Sequence, residues 1–320
     1  MTAMTYETLL QDPEIQAFFS PDAVQLYQAE APVGAWAIQA WCRVMEDRNP
    51  VYRDRDAARR YGYQDIIAPP VMMHSFTFPG LTYETEDNLL NRLRRKLETY
   101  GINSVVAGNY EQEFLTPIRL GDMLTREVRF ESISEEKLTA VGTGHFILMG
   151  ETIYNQDRVL IGRQKMRTLF FRPGKGKDPA LAQQPAKKEA ETPPAAPRLE
   201  LPPLAIPLTT TRIVCGAIAA NDFEKVHHDR DLAQAQGLKD IIMNILTSCG
   251  LAMRYVTDWA GPAAIVKSHS SRFGVPNYPG DTMTFTATAD GAFAPGRETQ
   301  IQLRGANSLG AHINSTITIG

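Results

Sequence analysis

Polar and apolar residues alternate along several stretches in each half of the chain. Alternation with a period of two is typical of strands that bury one face, and it occurs over residues 124–131, 158–165, 282–288 and 299–303. Each half also carries one mostly apolar stretch of helical character, over residues 71–76 and 245–252. A helix followed by antiparallel strands, twice over, predicts an α+β protein in which each half wraps a sheet around a central helix.

One segment of the chain occurs twice, 175 positions apart and without a gap. Residues 47–54 and 62–67 correspond to residues 222–229 and 237–242. In both copies an Asp stands five residues before a ring, which is Tyr52 in the first copy and His227 in the second. Near neutral pH, histidine is the ring that exchanges a proton without a large pKa shift. The pattern therefore predicts a duplication in which the second half is equipped for acid–base chemistry and the first is not.

A second repeated motif confines an insertion to the first half. Residues 114–122 correspond to residues 273–281 at an offset of 159, so the first half carries 16 extra residues between its two motifs. They coincide with residues 81–101, where Leu89, Leu93 and Leu97 recur at helical spacing with Arg and Lys between them. This spacing predicts an amphipathic surface helix with a solvated basic face.

A proline-rich stretch separates the two halves. Residues 173–207 hold nine prolines and almost no large apolar residue before Leu199. Such a composition buries too little surface to offset the entropy of ordering, and it is typical of an extended tether. We predict a first domain over residues 1–172, a linker over 173–204 and a second domain over 205–320. For the end of the stretch, residues 199–207, an ordered strap on the surface is the alternative.

The composition is that of a globular protein. The chain has 320 residues, 43% hydrophobic and 22% charged, with a net charge of -3, which suffices for two domains with a core each. No basic excess points to nucleic acid, no apolar run approaches the ~20 residues of a membrane span, and the polar N-terminus does not resemble an export signal. Three widely spaced cysteines fit neither a disulfide framework nor a zinc site. We expect a cytoplasmic protein without a metal.

Asp222 and His227 are the strongest candidates for catalysis. A carboxylate and an imidazole that converge on one point can hold a water between them, so that one removes its proton while the other delivers a proton to the substrate. The alternative is that the two residues merely cap local turns. The context of the second half favours the catalytic interpretation.

That context is a predicted helix start at Asn244 and Ile245. Exposed backbone N–H groups at such a start can bind a carbonyl oxygen as it gains negative charge. We predict Ile245 as this oxyanion donor and place Asn244 in the substrate pocket. The first half has Pro69 and Pro70 at the matching positions, and proline has no N–H to offer. The first half therefore lacks both the imidazole and the donor.

These motifs resemble the MaoC-like enoyl-CoA hydratases of the hydratase 2 type. Residues 222–229, 237–244 and 273–281 carry the resemblance in the second half, and residues 47–52 with 68–70 look like a degenerate MaoC half. The family has Asp-x-Asn-Pro-x-His in its catalytic half, whereas this chain has Glu224-Lys225 in place of Asn-Pro. The resemblance covers nearly the whole chain apart from the linker. It implies two hot-dog folds fused in tandem, each a long helix wrapped by an antiparallel sheet.

The resemblance also implies an activity. Water would add in syn fashion across the double bond of a 2-enoyl-CoA to give a 3-hydroxyacyl-CoA, with Asp222 and His227 activating the water and protonating C2. Within the family, the chain is most similar to the two-part hydratases of bacterial steroid side-chain degradation, which implies a bulky acyl group such as a steroid side chain. Coenzyme A enters only as part of the substrate, without a separate cofactor. We expect a homodimer, and a downstream aldolase or its accessory protein as a partner.

Two other functions compete with hydration. A hot-dog thioesterase would hydrolyse an acyl-CoA, and a non-catalytic scaffold would bind acyl-CoA or an aldolase. We further hypothesise that residues 81–101 displace the central helix of the first half and thereby open the pocket for the acyl group.

Overall fold

The structure is a computed structural model that describes residues 6–82, 87–139, 141–174 and 198–320. Its α-helices are α1 (Tyr6–Gln11), α2 (Pro13–Phe18), α3 (Ala35–Met45), α4 (Arg55–Arg60), α5 (Leu89–Glu98), α6 (Thr210–Ala219), α7 (Arg230–Ala235) and α8 (Ile245–Ala260). Its strands are β1 (Gln25–Gln28), β2 (Ser104–Phe114), β3 (Thr125–Ile133), β4 (Lys137–Leu138), β5 (Gly142–Tyr154), β6 (Leu160–Pro173), β7 (Leu199–Leu208), β8 (Val266–Phe273), β9 (Asp281–Ala289), β10 (Thr299–Asn307) and β11 (Gly310–Ile319). Short 3₁₀ turns lie at Pro50–Tyr52, Pro70–Met73, Ser75–Thr77, Gly80–Thr82 and Lys225–His227. Within these ranges, no helix has the length and apolar character needed to cross a membrane.

The strands form one antiparallel sheet that runs through both halves. Its order is β1-β3-β5-β6-β2-β8-β11-β10-β9-β7, with β4 beside β5. The halves join where β2 pairs with β8, from Asn109 opposite Arg272 to Glu113 opposite Ser268, and we call this pairing the seam. The second repeated motif begins where these two strands end, so the repeat in sequence corresponds to a two-fold arrangement of the halves about the seam.

Helix α8 is the central helix of the second half. Its residues from Leu246 to Met253 are all buried, as expected for a helix that is enclosed by the protein on every side. Tyr255 stacks on Phe285 of β9 with ring centroids 5.6 Å apart, and the inner faces of β10 and β11 contribute to the same core. The predicted helix wrapped by a sheet is confirmed for this half.

The first half lacks the continuous helix that the sequence predicts over residues 71–76. Residues 70–82 instead form three 3₁₀ turns. Phe78 is extended, with φ −74° and ψ 132°, because the following Pro79 disfavours helical geometry at its predecessor and lacks the N–H of an internal helical turn. Gly80 then takes a left-handed φ of 61°. The predicted helix is therefore wrong, and the central segment of the first half is interrupted. The hypothesis that residues 81–101 displace this helix and open the pocket stays a prediction.

The amphipathic helix predicted in the insertion is α5. Its residues Leu89, Leu93 and Leu97 are buried and belong to a separate apolar core with Phe130 and Ile147 of the sheet. Residues 83–86 of the insertion lie outside the described residues. The helix is thus more than a surface element, because its apolar face covers part of the sheet in the half where the central helix is interrupted.

The sheet of the second half begins earlier than the predicted boundary at residue 205. Strand β7 pairs with β9 from Leu199, opposite Ala289, and it buries Leu201 and Ile206. Its register shifts between Leu201 and Leu204, where two prolines stand, and such irregular edge positions are where strands tolerate proline. Residues 199–207 are therefore ordered, as the alternative had it, but as an edge strand of the sheet and not as a strap on its surface. Residues 175–197 of the predicted linker lie outside the described residues.

Helices from the two halves meet at Gly250 of α8. A Cβ atom on this glycine would lie 2.6 Å from Cζ2 of Trp41 in α3 and 3.3 Å from Sδ of Met45. The position that matches Trp41 in the repeat is Gly216 of α6, which lies against Thr247. The close approach of α3 to α8 therefore depends on the absence of a side chain at residue 250.

The variant Gly250→Ala tests this contact. Gly→Ala inside a helix usually gains up to about 1 kcal/mol, but here the rigid indole ring has to move, so we expect the free energy of unfolding to fall by about 1–3 kcal/mol. Urea denaturation measures the change. Gly34→Ala is the control, since the nearest atom to its new Cβ would be 3.9 Å away. A gain of stability in Gly250→Ala would contradict the packing described.

Buried histidines predict a pH dependence of stability. Burial lowers the pKa of His269 and of His312 from 6.5 to about 4. Between pH 6.5 and pH 4 the unfolded chain takes up protons that the folded protein does not, so the free energy of unfolding should fall as the pH falls through this window. For each ring, the free energy of unfolding changes by at most about 1.4 kcal/mol per pH unit.

Denaturation midpoints at several pH values between 4 and 7 check this expectation. His312→Gln should flatten the slope, because one buried ring with a lowered pKa is removed. Equal slopes in the variant and the wild-type protein would refute the assignment.

Candidate active site

The loop after α6 places Asp222 and His227 on one side of the second half. Asp222 follows Asn221, whose left-handed φ of 56° turns the chain back so that the Asp222 N–H donates to Ala217 O at 2.9 Å. Residues Lys225–His227 then form a 3₁₀ turn, as Pro50–Tyr52 do in the first half. The turn therefore forms without the proline that starts it in the first half.

The predicted pair is assembled in the structure. His227 Nε2 lies 3.6 Å from Asp222 Oδ2, and both side chains are only 11% exposed. The other ring nitrogen, Nδ1, lies 2.8 Å from the backbone oxygen of Ile242. Because a carbonyl only accepts, Nδ1 carries the hydrogen and Nε2 of the neutral ring has a free lone pair. The basic nitrogen of His227 thus faces the carboxylate.

Asn244 holds the carboxylate in place. Its Nδ2 donates to Asp222 Oδ2 at 3.0 Å, and its Oδ1 accepts from the N–H of Thr247 at 2.9 Å. The second bond caps the N-terminus of α8, which is why an Asn occupies this position. Asn244, predicted for the substrate pocket, is fully buried and links the start of the central helix to the Asp222 carboxylate.

Helix α8 begins at Ile245, as predicted. The N–H groups of a first helical turn have no acceptor within the helix. The side chain of Asn244 accepts a hydrogen bond from one of them, the N–H of Thr247. The N–H groups of Ile245 and Leu246 are thus directed out of the helix end beside the Asp222–Asn244 bond. This is the geometry that a partial negative charge on a carbonyl oxygen requires.

The matching residues of the first half form a closed site. Asp47 and Tyr52 are both buried, and burial followed by the charge of Asp47 raises the pKa of Tyr52 well above its usual value. The cavity beside them, lined by Trp41 and Pro70 among others, measures about 10 Å³, room for no more than one water. Tyr52 is therefore unsuited to act as a base, and no substrate fits beside it.

Each half also holds the loop of the other, a feature that sequence reasoning missed. Asn221 Nδ2 donates to the backbone oxygen of Phe78 at 3.0 Å. At the matching position of the first half, Glu46 also has a left-handed φ, 53°, and pairs with Arg212 at 2.9 Å and with Arg254 at 3.5 Å. In the sequence, Asn221 and Glu46 each stand directly before a repeated Asp. Their partners lie in the other half of the chain, so the sequence does not reveal these contacts.

Family models match both halves of the chain. Residues 23–164 match the model described as FAS1-like, dehydratase domain region, and residues 192–307 match the MaoC like domain. The 3-oxo-4,17-pregnadiene-20-carboxyl-CoA hydratase beta subunit of Mycobacterium tuberculosis is 49% identical over 123 residues, which is 37% of this chain and 91% of that subunit. The chain belongs to the MaoC-like hydratase family. The resemblance seen in its motifs is thereby confirmed.

Two further similarities concern the first half and the fold. The alpha subunit of the same Mycobacterium tuberculosis hydratase is 33% identical over 146 residues, 45% of this chain, and the chain spans 47% of that subunit's length. A solved structure of a conserved hypothetical protein from Mycobacterium tuberculosis, described as having a double hotdog fold, gives a TM-score of 0.60 at 14% identity and covers 92% of this chain and 95% of its own. Two tandem hot-dog folds are therefore confirmed.

The bond of Asn221 to the first half leads to a testable prediction. Asn221→Gly keeps the left-handed backbone at no steric cost but removes the bond to the first half, so the carboxylate next to it should be held less firmly. We expect kcat to fall by roughly 3- to 10-fold, the worth of one hydrogen bond, with little change in KM. Steady-state kinetics of hydration measure both.

The matched control is Glu46→Gly, which removes the equivalent contacts of the first half. It should lower the free energy of unfolding and leave kcat unchanged. Equal losses of kcat in both variants would show that the contact serves only the joining of the halves.

Proposed function

We propose that the protein hydrates a 2-enoyl-CoA with a bulky acyl group to a 3-hydroxyacyl-CoA. The observation that carries this proposal is the Asp222–His227 pair, with the free lone pair of Nε2 facing Oδ2 at 3.6 Å, beside the N-terminus of α8. A water next to both atoms can donate one hydrogen to each of them. The pair can therefore both orient a water and exchange its protons.

In the reaction, the oxygen of this water bonds to C3 of the enoyl group. One of its protons passes to the pair, and the pair supplies a proton to C2, so both residues end the turnover in the protonation state in which they began. Negative charge develops on the thioester oxygen as the new bond forms. The N–H of Ile245 at the helix start is the donor that stabilises this charge.

The interrupted central helix of the first half supports a bulky substrate. Residues 70–82 form separate 3₁₀ turns where the second half has the continuous helix α8, and we propose that this segment lies against the acyl group. Two relatives of this chain are named for a CoA thioester with a bulky acyl group, 3-oxo-4,17-pregnadiene-20-carboxyl-CoA. We therefore propose a steroid side chain as the acyl group.

A single chain would then do the work of two subunits. The relatives are an alpha and a beta subunit of one hydratase, and this chain is similar to parts of both. We propose that the first half supports the acyl group while the second half carries the reacting residues. A homodimer of such chains, and an aldolase that cleaves the hydrated product, are the partners that we propose.

Loss of the conjugated-thioester absorbance on mixing the protein with 2-enoyl-CoA substrates tests the activity. His227→Ala should lower kcat by roughly 10²- to 10⁴-fold, the usual contribution of a general acid or base. Tyr52→Phe is the matched control in the other half and should change kcat little, because its site is closed. Equal losses in the two variants would contradict the assignment of roles.

The same assay separates the competing functions. Hydration removes the absorbance without releasing free thiol, whereas a thioesterase would release coenzyme A, which a thiol reagent detects. A protein that binds these thioesters without changing any of them, whether short, long or steroidal, would be a scaffold. Either of these outcomes would overturn the proposal.

A further inference from the structure

Ser248 of α8 and His312 of β11 form a hydrogen-bonded pair in the interior of the second half. Ser248 Oγ lies 2.8 Å from His312 Nε2, and the exposed fractions of the two residues are 0% and 5%. Burying polar groups is costly unless they are hydrogen-bonded, and two apolar side chains of similar size would avoid that cost. The pair therefore calls for an explanation other than packing.

The ring of His312 is held in one orientation. Its Nδ1 lies 2.8 Å from the backbone oxygen of Val275 in the second repeated motif, and it meets the ring of Phe273 edge to face with centroids 5.8 Å apart. Because a carbonyl only accepts, Nδ1 of the neutral ring carries the hydrogen, and Nε2 accepts from the hydroxyl of Ser248. The second repeated motif thus anchors the ring that binds Ser248.

Ser248 connects this ring to the start of α8. Its hydroxyl lies 3.1 Å from the backbone oxygen of Asn244, which also accepts from the Ser248 N–H at 3.2 Å. A hydroxyl has one hydrogen, so Asn244 O and His312 Nε2 compete for it. A helical serine that gives its hydrogen to the carbonyl four residues before it often bends the helix. By binding the hydroxyl, His312 limits this effect on the first turn of α8.

The first turn of α8 in turn holds the candidate acid–base pair. The side chain of Asn244 donates to Asp222 Oδ2 at 3.0 Å, and this oxygen lies 3.6 Å from His227 Nε2. A continuous series of contacts therefore runs from His312 through Ser248 and Asn244 to Asp222.

The first half has apolar residues at the positions of Ser248 and His312. Met73 matches Ser248 at the offset of 175. Ile161 matches His312, because the backbone oxygen of each accepts a hydrogen bond at 2.9 Å from the second residue of the second repeated motif. Met73 and Ile161 are both buried. Apolar side chains thus suffice at these positions in the half without an imidazole, and the polar pair is found in the half that has one.

We propose that Ser248 and His312 are positioning residues for hydration, and that they hold the start of α8 in the geometry that Asp222 requires. The proposal rests on the proposed function for its reaction. The pair acts through Asn244 and does not touch the substrate. Its loss lets the first turn of α8 tilt, and the carboxylate of Asp222 moves with it. The rate of hydration then falls, while KM changes little.

Two substitutions of the ring test this role in steady-state kinetics of hydration. The amide nitrogen of Asn can take the place of Nδ1, and the amide oxygen of Gln can take the place of Nε2. His312→Asn therefore keeps the bond to Val275 and loses the bond to Ser248, whereas His312→Gln keeps an acceptor for Ser248. We expect kcat to fall roughly 3- to 10-fold in His312→Asn and in Ser248→Ala, as for the loss of one hydrogen bond. His312→Gln should retain most of the wild-type kcat.

A double variant shows whether the two residues act as one unit. The kcat of Ser248→Ala/His312→Asn should be no lower than that of either single variant, because each substitution breaks the same bond. Ser315→Ala is the matched control. Ser315 Oγ lies 3.1 Å from His269 Nε2 in another buried serine–histidine contact of this half, so its loss should lower the stability to urea and leave kcat unchanged.

Hydrogen exchange of the Thr247 N–H, followed by NMR, tests the proposal without any substrate. This group donates to Asn244 Oδ1, so its exchange reports local opening at the start of α8. Relative to the N–H of Val256, farther along the same helix, it should exchange roughly 3- to 10-fold faster in Ser248→Ala than in the wild-type protein. His312→Asn should have the same effect, and Ser315→Ala should have none.

Equal kcat in Ser248→Ala, His312→Asn and Ser315→Ala would overturn the proposal. Additive losses in the double variant, or an unchanged exchange of the Thr247 N–H, would also contradict it. Failure of the proposed function has a separate signature, because the wild-type protein would then hydrate none of the enoyl-CoAs. The exchange of the Thr247 N–H would still respond to the loss of the pair in that case.

Discussion

The pairing of β2 with β8 is the interaction on which the rest of the structure depends. It joins two similar sheets into one, and it brings the central segment of each half against the repeated Asp-containing loop of the other. Backbone hydrogen bonds between antiparallel strands hold this arrangement in a defined register. Because the seam holds the two halves together, the carbonyl of Phe78 accepts a hydrogen bond from Asn221, and Arg254 forms an ion pair with Glu46. A site built from one half alone would lack these supports.

The two copies of the loop have the same backbone turn but differ in the side chains at a few matched positions. The backbone turn is preserved in both, with an Asp before it and a 3₁₀ turn at its end. Tyr52 stands in place of His227, so the first half has no imidazole there, and Pro70 in place of Ile245 has no N–H to donate. Trp41, in place of Gly216, packs against the neighbouring helix and fills the first site. The first half therefore lacks two groups that the second half has, and its central segment, which ends before Pro79, forms 3₁₀ turns in place of a continuous helix.

Buried polar groups on the inner face of the sheet and beside α8 are mostly paired. Asn244 donates to Asp222, and Arg126 of β3 donates to Glu151 of β5. At the seam, His269 Nε2 lies 3.1 Å from Ser315 Oγ, opposite Gln112 of β2. Because low-polarity surroundings strengthen paired groups, these pairs hold the side chains in definite positions.

The sequence by itself determined the duplication, the α+β class and the two residues, Asp222 and His227, that the structure brings together. It did so because a hydrophobic period, a repeated loop and a helix cap are local properties of neighbouring residues, as the Asn244 cap of α8 illustrates. The interruption of the first central helix was readable only in part, since the effect of Pro79 competes with an apolar stretch that otherwise favours a helix. The start of β7 at Leu199 was likewise hidden by prolines that an edge strand tolerates. Tertiary structure alone decided the seam, the contact of Asn221 with the other half and the alignment of Gln112 with His269. These depend on which strands become neighbours, and residues more than a hundred positions apart carry no local signal of that choice.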